Sequence, residues 1–473
     1  MRVRYRTDAK PYAPDTRAVK ANPCPGRCGS ATRRAAVLTA AVTVGLLAAA
    51  TALAVDRTLD SKPQQDAPTA FAAKEPEPVL HLGLGDGKSL GVPAAEVVGF
   101  EFLLNRLNHY TLDASVYPSP ISSLWQNLHR KWVVDNDQFA TNQILHPYQG
   151  ATYQGFARSA GLGFWESAAY TLGGSLLWEE AGESTFPSIN DQGASGIGGL
   201  FLGEPLFRMA SLLLESSTTG APSRWREVAA AAISPSTGIN RLAFGKRFGG
   251  VFRSYNPAAF TRVDVGASLS PRFTSNVNVN VNVNKDLSGP PASPTLQKRE
   301  ASVDFTMAYG LPGKPDYTYT RPFDYFHFEF VASTANTIET VFSRGLLVGT
   351  TYGTGANYRG IWGLYGTYSC VAPQIFRVSN TGLAVGTTGQ WWISRSVALQ
   401  GTGFAGAGYG GGTDMHGAGV TTAGPVGEGQ RDYHYGITPQ ALLALRLIVG
   451  DRVSIDASAR DYYISRLRSS EST

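Results

Sequence analysis

The strongest constraint on this chain is a change of hydrophobic period near Tyr255. From there on the segments alternate strictly. "RVDVGASLS" sets Val263, Val265, Ala267 and Leu269 against polar or tiny neighbours, and "SVDFTMAYG" repeats the device with Val303, Phe305, Met307 and Tyr309. "DYFHFEFVAS" places Phe326, Phe328 and Phe330 on one side and Tyr325, His327 and Glu329 on the other. A period of two puts each set on one face of a strand, so these segments cannot be amphipathic helices.

Further strands are expected in "IETVFSRGLLVGTTY", "YRGIWGLYGTYSC", "TGLAVGTTGQWWI", "VALQGTGFAGAGYG", "YHYGITPQALLALRLIVG" and "RVSIDASARDYYIS". With the alternating run "NVNVNVNVN" they make about ten strands, many longer than the usual five or six residues. Long strands with one apolar face, glycines opposite and aromatics near their ends suit an antiparallel transmembrane β-barrel of about 10 to 12 strands. A soluble β-sandwich is the alternative and needs a second sheet over every apolar face. The chain stops at "RLRSSEST" rather than on an aromatic-ended strand. The expectation is therefore that last strands are missing, because lipid tolerates no open sheet edge. The Asn/Val run reads as a strand leading into a surface loop, with an Asn ladder as the alternative, and it is an aggregation hazard if unpaired. The glycine-rich "GFAGAGYGGG" is expected to form a bulge or loop.

Charge separates the N-terminus from the rest. The formal net charge is +5, but residues 1–34 carry nine Lys/Arg and two Asp, so the other 439 residues sum to −2. That balance argues against a nucleic-acid partner. Charged residues are only 16% of the chain, against about 25% in average soluble domains. The uncharged run "AAVLTAAVTVGLLAAATALA", Ala35 to Ala54, follows Arg33 and Arg34 and reads as a signal peptide cleaved after Ala54, with a signal anchor as the alternative. The twin arginines lack the remainder of a twin-arginine signal, and no lipobox Cys follows. The first 26 or so residues exceed what a signal needs, which suggests a start codon placed too far upstream. Cleavage would remove Cys24 and Cys28 and leave Cys370 alone, with no disulfide framework.

The reading divides the chain into an extension and signal (1–54), a flexible linker (55–79), a mainly helical polar and Gly-rich region (80–250) and barrel strands (251–473). "AAEVVGFEFLLNRLNHY" should form one amphipathic helix with Val97, Phe100, Leu103, Leu104 and Leu107 on its buried face. Another helix is expected to begin near Pro205 and run through "LFRMASLLLE", and "SRWREVAAAAI" should stop before Pro235. Small residues at helical spacing (Gly150, Ala157 and Gly161; Ala169 and Gly173 beside Glu166 and Tyr170) would let helices approach closely. Glu166 in mid-segment argues against Gly161–Trp178 spanning a bilayer.

Polar residues crowd this helical region. A triad of His146 with Ser175 or Ser167 and Glu179, Glu166 or Asp191 would supply nucleophile, base and orienting carboxylate, yet no Gly-x-Ser-x-Gly elbow is present. His146, Glu179, Glu183 and Asp191 offer metal-ligand atoms, but no His-x-x-x-His or Glu-x-x-His pair exists there, and neither metal nor cofactor is assigned. The favoured reading is a structural polar network of Asn142, Gln149, Arg158, Glu166, Asp191, Glu204 and Arg208. Its natural ion pairs are Arg158 with Glu166 or Glu179 and Arg208 with Glu204. "GLGDGKS" lacks the Walker spacing and is refused as a phosphate loop.

The series "TNQILHPYQG", "FARSAGLGFWESAAYTLGGSLLWE", "PSIND", "LGEPLFR", "GINRLAFG" and "RPFDYFHFEF" resembles the bacterial domain of unknown function 3943 family, over roughly residues 100–465. The resemblance implies an exported outer-membrane protein with a barrel portion, and no reaction. The expectation is an outer-membrane β-barrel protein of a Gram-negative envelope, structural or lipid/ligand-binding, more a non-enzyme than an enzyme. Its partners would be outer-membrane lipid and the barrel-assembly machinery. The alternatives are a lipid-modifying hydrolase or acyltransferase built on His146, and a small-solute channel.

Overall fold

The computed structural model describes residues 2–5, 88–135, 137–215, 222–272, 295–314, 316–334, 338–373, 376–412, 433–450, 453–465 and 468–469. The signal segment, the linker and the Asn/Val run lie outside the described residues. The architecture is α+β: a helical layer docked on a curled antiparallel sheet.

Nine long strands follow one another in the sheet in chain order. They are β2 (Ala259–Arg272), β3 (Thr295–Tyr309), β4 (Phe326–Ser333), β5 (Thr340–Thr354), β6 (Tyr358–Val371), β7 (Val378–Trp392), β8 (Val397–Gly412), β9 (His434–Val449) and β10 (Val453–Ile464). All eight contacts between them are antiparallel. A short β1 (Arg2–Tyr5) pairs parallel to β10, and β11 (Arg468–Ser469) pairs with β9. Among the described residues β2 and β10 do not pair through their backbones, so the sheet is a half-barrel. It curls far enough for side chains of distant strands to meet on its concave face. Arg262 of β2 reaches Asp456 of β10, Arg460 of β10 reaches Glu329 of β4, and Phe342 of β5 stacks on Phe404 of β8 at 6.5 Å.

The expected glycine-rich loop is instead a regular strand. "GFAGAGYGGG" lies within β8 and pairs residue for residue with β9. Glycine is needed there because neighbouring chains come very close: a Cβ on Gly410 would lie 1.9 Å from the Ser379 carbonyl oxygen.

The helices are α1 (Gly91–Thr111), α2 (Pro120–Asn127), α3 (His146–Ser159), α4 (Phe164–Leu177), α5 (Ile189–Leu214), α6 (Arg224–Ile233), α7 (Pro235–Ala243) and α8 (Gly245–Phe248). Wide π turns lead into α3 (Thr141–Leu145), follow α4 (Trp178–Gly182) and interrupt α5 (Gln192–Gly198). α5 is long and apolar enough to cross a bilayer by length and composition, but 89% of its apolar window is buried inside the protein. It packs with β3–β6 in the main core, where Leu206, Met209 and Leu213 meet Phe305, Met307, Phe328 and Tyr368. The alternation in β4 therefore works as read, with its Phe face turned to the helices.

Three helical expectations are corrected. α1 buries Pro93, Val97, Glu101 and Asn105, while Leu103 and Leu107 are exposed. The polar pair wins because it has partners: Tyr153 donates to Glu101, and Asn105 donates to the Gly182 carbonyl at 2.6 Å. Pro205 does not begin a helix but sits inside α5. It has no N–H for the Phe201 carbonyl four residues back, and Ser343 Oγ on β5 donates to that carbonyl at 2.6 Å. Pro147 in α3 leaves the Gln143 carbonyl in the same position, and Tyr368 Oη on β6 donates to it at 2.6 Å. Lastly, Glu166 and Gly173 do not pack helices: Glu166 is exposed and a Cβ on Gly173 would meet nothing within 4 Å. The close crossing is at Gly150 of α3 and Gly199 of α5, where a Cβ on Gly150 would lie 1.8 Å from the Ser195 carbonyl oxygen.

Candidate functional site

The three π turns converge between the helices and one end of the sheet. A π turn carries an extra residue and swings its side chains out of helical register. Here polar groups from five separate stretches meet. Asn142 Nδ2 lies 2.6 Å from Asp135 Oδ1, 2.9 Å from Tyr433 Oη and 3.0 Å from Tyr435 Oη. Asn190 Nδ2 reaches the same Asp135 oxygen at 2.6 Å and Tyr435 Oη at 2.9 Å. Gln143 donates to Tyr435 Oη at 3.1 Å and accepts from Ser379. Glu179 Oε2 accepts from the Ser188 backbone N–H at 2.7 Å.

His146 adjoins this cluster through Asp191, to which Asn190 Nδ2 donates at 3.0 Å. Its Nδ1 is 3.1 Å from Ser195 Oγ, and its Nε2 is 3.7 Å from Asp191 Oδ2. Ser195, not Ser175 or Ser167, is thus the hydroxyl beside His146. The Ser167 and Ser175 hydroxyls are buried in α4 and have no hydrogen-bond partner among the described residues. Ser195 lies in "QGASGIG", where only the π turn aims it at His146, so no spacing in the sequence could have singled it out.

The charge states set what the cluster can do. Burial pulls His146 down to about 4, against the opposing charge of Asp135. Burial, reinforced by Asp135 and Glu179, holds Asp191 well above the carboxylate range. Glu179 is raised well above its usual value by burial and then by Glu183. Glu183 is raised to about 7 by burial, despite its hydrogen bond from Thr185. Each of these shifts favours the uncharged form of its group. A separation of 3.7 Å is too long for a hydrogen bond, and shifts in that direction disfavour an imidazolium–carboxylate pair. Ser195 and Asp191 are 2% and 1% exposed, which leaves no room for a substrate. The arrangement resembles a triad only in composition.

A second buried cluster lies further along α3 and α5. Arg158 Nε is 2.8 Å from Glu204 Oε2, Arg208 Nε is 2.9 Å from Glu204 Oε1, and Arg208 Nη1 is 2.9 Å from Asp324 Oδ1. Burial alone would raise Glu204, but Arg158 and Arg208 hold its carboxyl below the usual value. Phe252 lies against the guanidinium groups of Arg158, Arg208 and Arg321 at 4.9, 4.8 and 4.6 Å. Such a network is costly to break, because losing one member leaves its partner's charge buried alone.

The expected network is therefore divided. Asn142 and Asp191 belong to the first cluster, and Arg158, Glu204 and Arg208 to the second. Gln149 donates to Tyr153, which passes the chain on to Glu101. Arg158 pairs with Glu204 rather than with Glu166 or Glu179. Glu166 instead binds Lys88 at 2.9 Å and the Gly163 N–H at 2.7 Å, capping α4 from the surface. Asp135, Asn190, Ser195, Asp324, Tyr433 and Tyr435 were not read from the sequence. Among the described residues no three His, Cys, Asp or Glu side chains are grouped to hold a metal ion.

Both clusters draw their helical members from one continuous stretch of chain. Residues 131–236 match the family model described as Domain of unknown function (DUF3943). The resemblance to this family, read over roughly 100–465, is carried by that helical stretch, which ends before β2. It contains His146, Asp191 and Ser195 of the first cluster and Arg158, Glu204 and Arg208 of the second. No curated protein and no solved structure matches the chain.

Proposed function

We propose that this is an exported outer-membrane protein whose helical layer is a structural or lipid- and ligand-binding body fixed to one end of a membrane-embedded sheet. The observation that carries the reading is the division of the convex face. At one end, the cross-strand row Ser343, Tyr368, Thr381 and Tyr409 belongs to the helix-covered part of the sheet. Four residues further along β6, the row Val348, Leu364, Val385, Ala405 and Ala441 is apolar and, among the described residues, has no helix over it. Beyond it, Leu443 is 70% and Ile455 63% exposed.

The dimensions support it. The exposed apolar positions of β9 run from Ile437 to Val449. Thirteen residues at about 3.3 Å each, tilted by roughly 45°, cover about 30 Å, the thickness of a hydrocarbon core. The opposite face carries Arg344, Arg446, Arg460 and Glu329, the polar lining usual inside such barrels. An exposed apolar surface this extensive would be an aggregation hazard in water.

The test is cell fractionation of the full-length protein with electrophoresis of unboiled samples. Co-purification with outer membranes and a heat-modifiable band are expected. Recovery as a soluble periplasmic protein would overturn the proposal.

A further inference from the structure

The concave face of the sheet encloses a cavity of about 410 Å³, remote from the His146 cluster. Four arginines line it (Arg262, Arg344, Arg446 and Arg460) with three carboxylates (Asp304, Glu329 and Asp456), and Asp264 adds a fourth, 2.7 Å from Arg262 Nε. The carboxylates are unevenly used. Asp456 accepts from both Arg262 and Arg446, and Glu329 from Arg460. Thr306 Oγ1 donates to Asp304 at 3.2 Å.

Arg344 is the arginine left over. It is 3% exposed, yet among the described residues no carboxylate lies within ion-pair distance of it. Among the described residues its guanidinium makes one hydrogen bond, 2.6 Å from Nη2 to the neutral Tyr325 Oη, and its Nε makes none. The rings of Phe404, Tyr325 and Tyr365 surround the guanidinium at 5.1, 5.6 and 5.8 Å. Aromatic faces attract a cation but cannot satisfy its N–H groups. A guanidinium buried without a counter-charge is unfavourable unless something supplies one. The adjoining cavity has the room to do so, and a guanidinium edge suits two oxygens of one anion.

We propose that this cavity binds a small oxyanion, a free phosphate or the carboxylate of a small solute, with Arg344 as its anchoring charge. The Thr402 hydroxyl, which also lines the cavity, is a further hydrogen-bonding group for it. The inference rests on the concave face alone and does not depend on the sheet lying in a membrane.

The test is calorimetric titration of full-length protein in a zwitterionic detergent. Inorganic phosphate and succinate are run as separate arms, with sodium chloride at equal ionic strength as the control. Saturable binding is expected in at least one oxyanion arm and not with chloride, and the responding arm identifies the source. Arg344→Gln should weaken binding at least tenfold, while Arg130→Gln on the helical side should leave it unchanged. If neither oxyanion saturates, or if Arg344→Gln binds as wild type does, the site is refuted. Should Arg344→Gln fail to fold by circular dichroism, Arg344→Lys decides: weakening of several-fold supports the fork contact, and wild-type affinity overturns it.

Discussion

Ser343 and Tyr368 stand directly opposite each other on β5 and β6, and each donates to a helix carbonyl that a proline has left without its N–H. Pro205 frees the Phe201 carbonyl and Pro147 frees the Gln143 carbonyl. Two apparent defects in helix chemistry thus become the two pins that set the helical layer on the sheet.

If that is the role of the pair, removing either hydroxyl leaves a buried carbonyl unsatisfied. Ser343→Ala and Tyr368→Phe should each cost about 1–3 kcal/mol. Pro205→Ala restores an N–H for the Phe201 carbonyl, so it should recover part of the loss in the Ser343→Ala background. The check is a double-mutant cycle by denaturant unfolding in detergent. Strictly additive effects would show that Ser343 and Pro205 are not linked through that carbonyl.

The buried acids give stability a definite pH dependence. Burial raises Glu101 to about 8, opposed by hydrogen bonds from Tyr153 and Gln149, and raises Glu183 to about 7. A raised acid contributes fully below its unfolded value, near 4.5, and loses that contribution as pH rises through its folded value. Glu179 and Asp191 act in the same direction. His146, held down to about 4, acts oppositely and loses its contribution as pH falls from about 6.5 towards 4. The acids outnumber it, so unfolding midpoints should drop between pH 5 and pH 8. Glu101→Gln should flatten that slope, and an unchanged slope would remove Glu101 from the account.

The His146 cluster should behave as structure, not as a catalytic centre. Ser195→Ala and His146→Ala should each destabilise by about 1–3 kcal/mol through the unpaired group left behind. The wild-type protein should not be labelled at Ser195 by a fluorophosphonate probe. Stoichiometric labelling lost in Ser195→Ala would restore the hydrolase reading.

On the convex face, Leu443→Arg should impair insertion into lipid vesicles by about 2–4 kcal/mol, the cost of a cation on a lipid-facing strand position near mid-bilayer. Insertion is read as the fraction of heat-modifiable protein. Wild-type insertion by Leu443→Arg would show that this row does not face lipid.

Much of the sheet could be read from the chain because a period of two is a local property. Each strand expected from β2 to β10 is present, and the Phe face of "DYFHFEFVAS" is buried as the alternation requires. The helical layer was legible only in outline. α1 turns Glu101 and Asn105 inward rather than Leu103 and Leu107, because buried partners on other elements outweigh the apolar stripe.

By itself the sequence determined the two periods, the two-faced strands, the density of polar residues among the helices and the i, i+4 pairing of Arg208 with Glu204. Those follow from spacing along one element. Only the tertiary structure decided that one apolar face serves both helices and an exposed band, that Ser195 and not Ser175 meets His146, and that Arg344, among the four arginines lining the concave cavity, has no described carboxylate within ion-pair distance. These depend on π turns that break helical register and on partners such as Asn142 and Tyr435, 293 residues apart. A side chain's worth in such a cluster is set by which groups share its burial, and no local pattern encodes that.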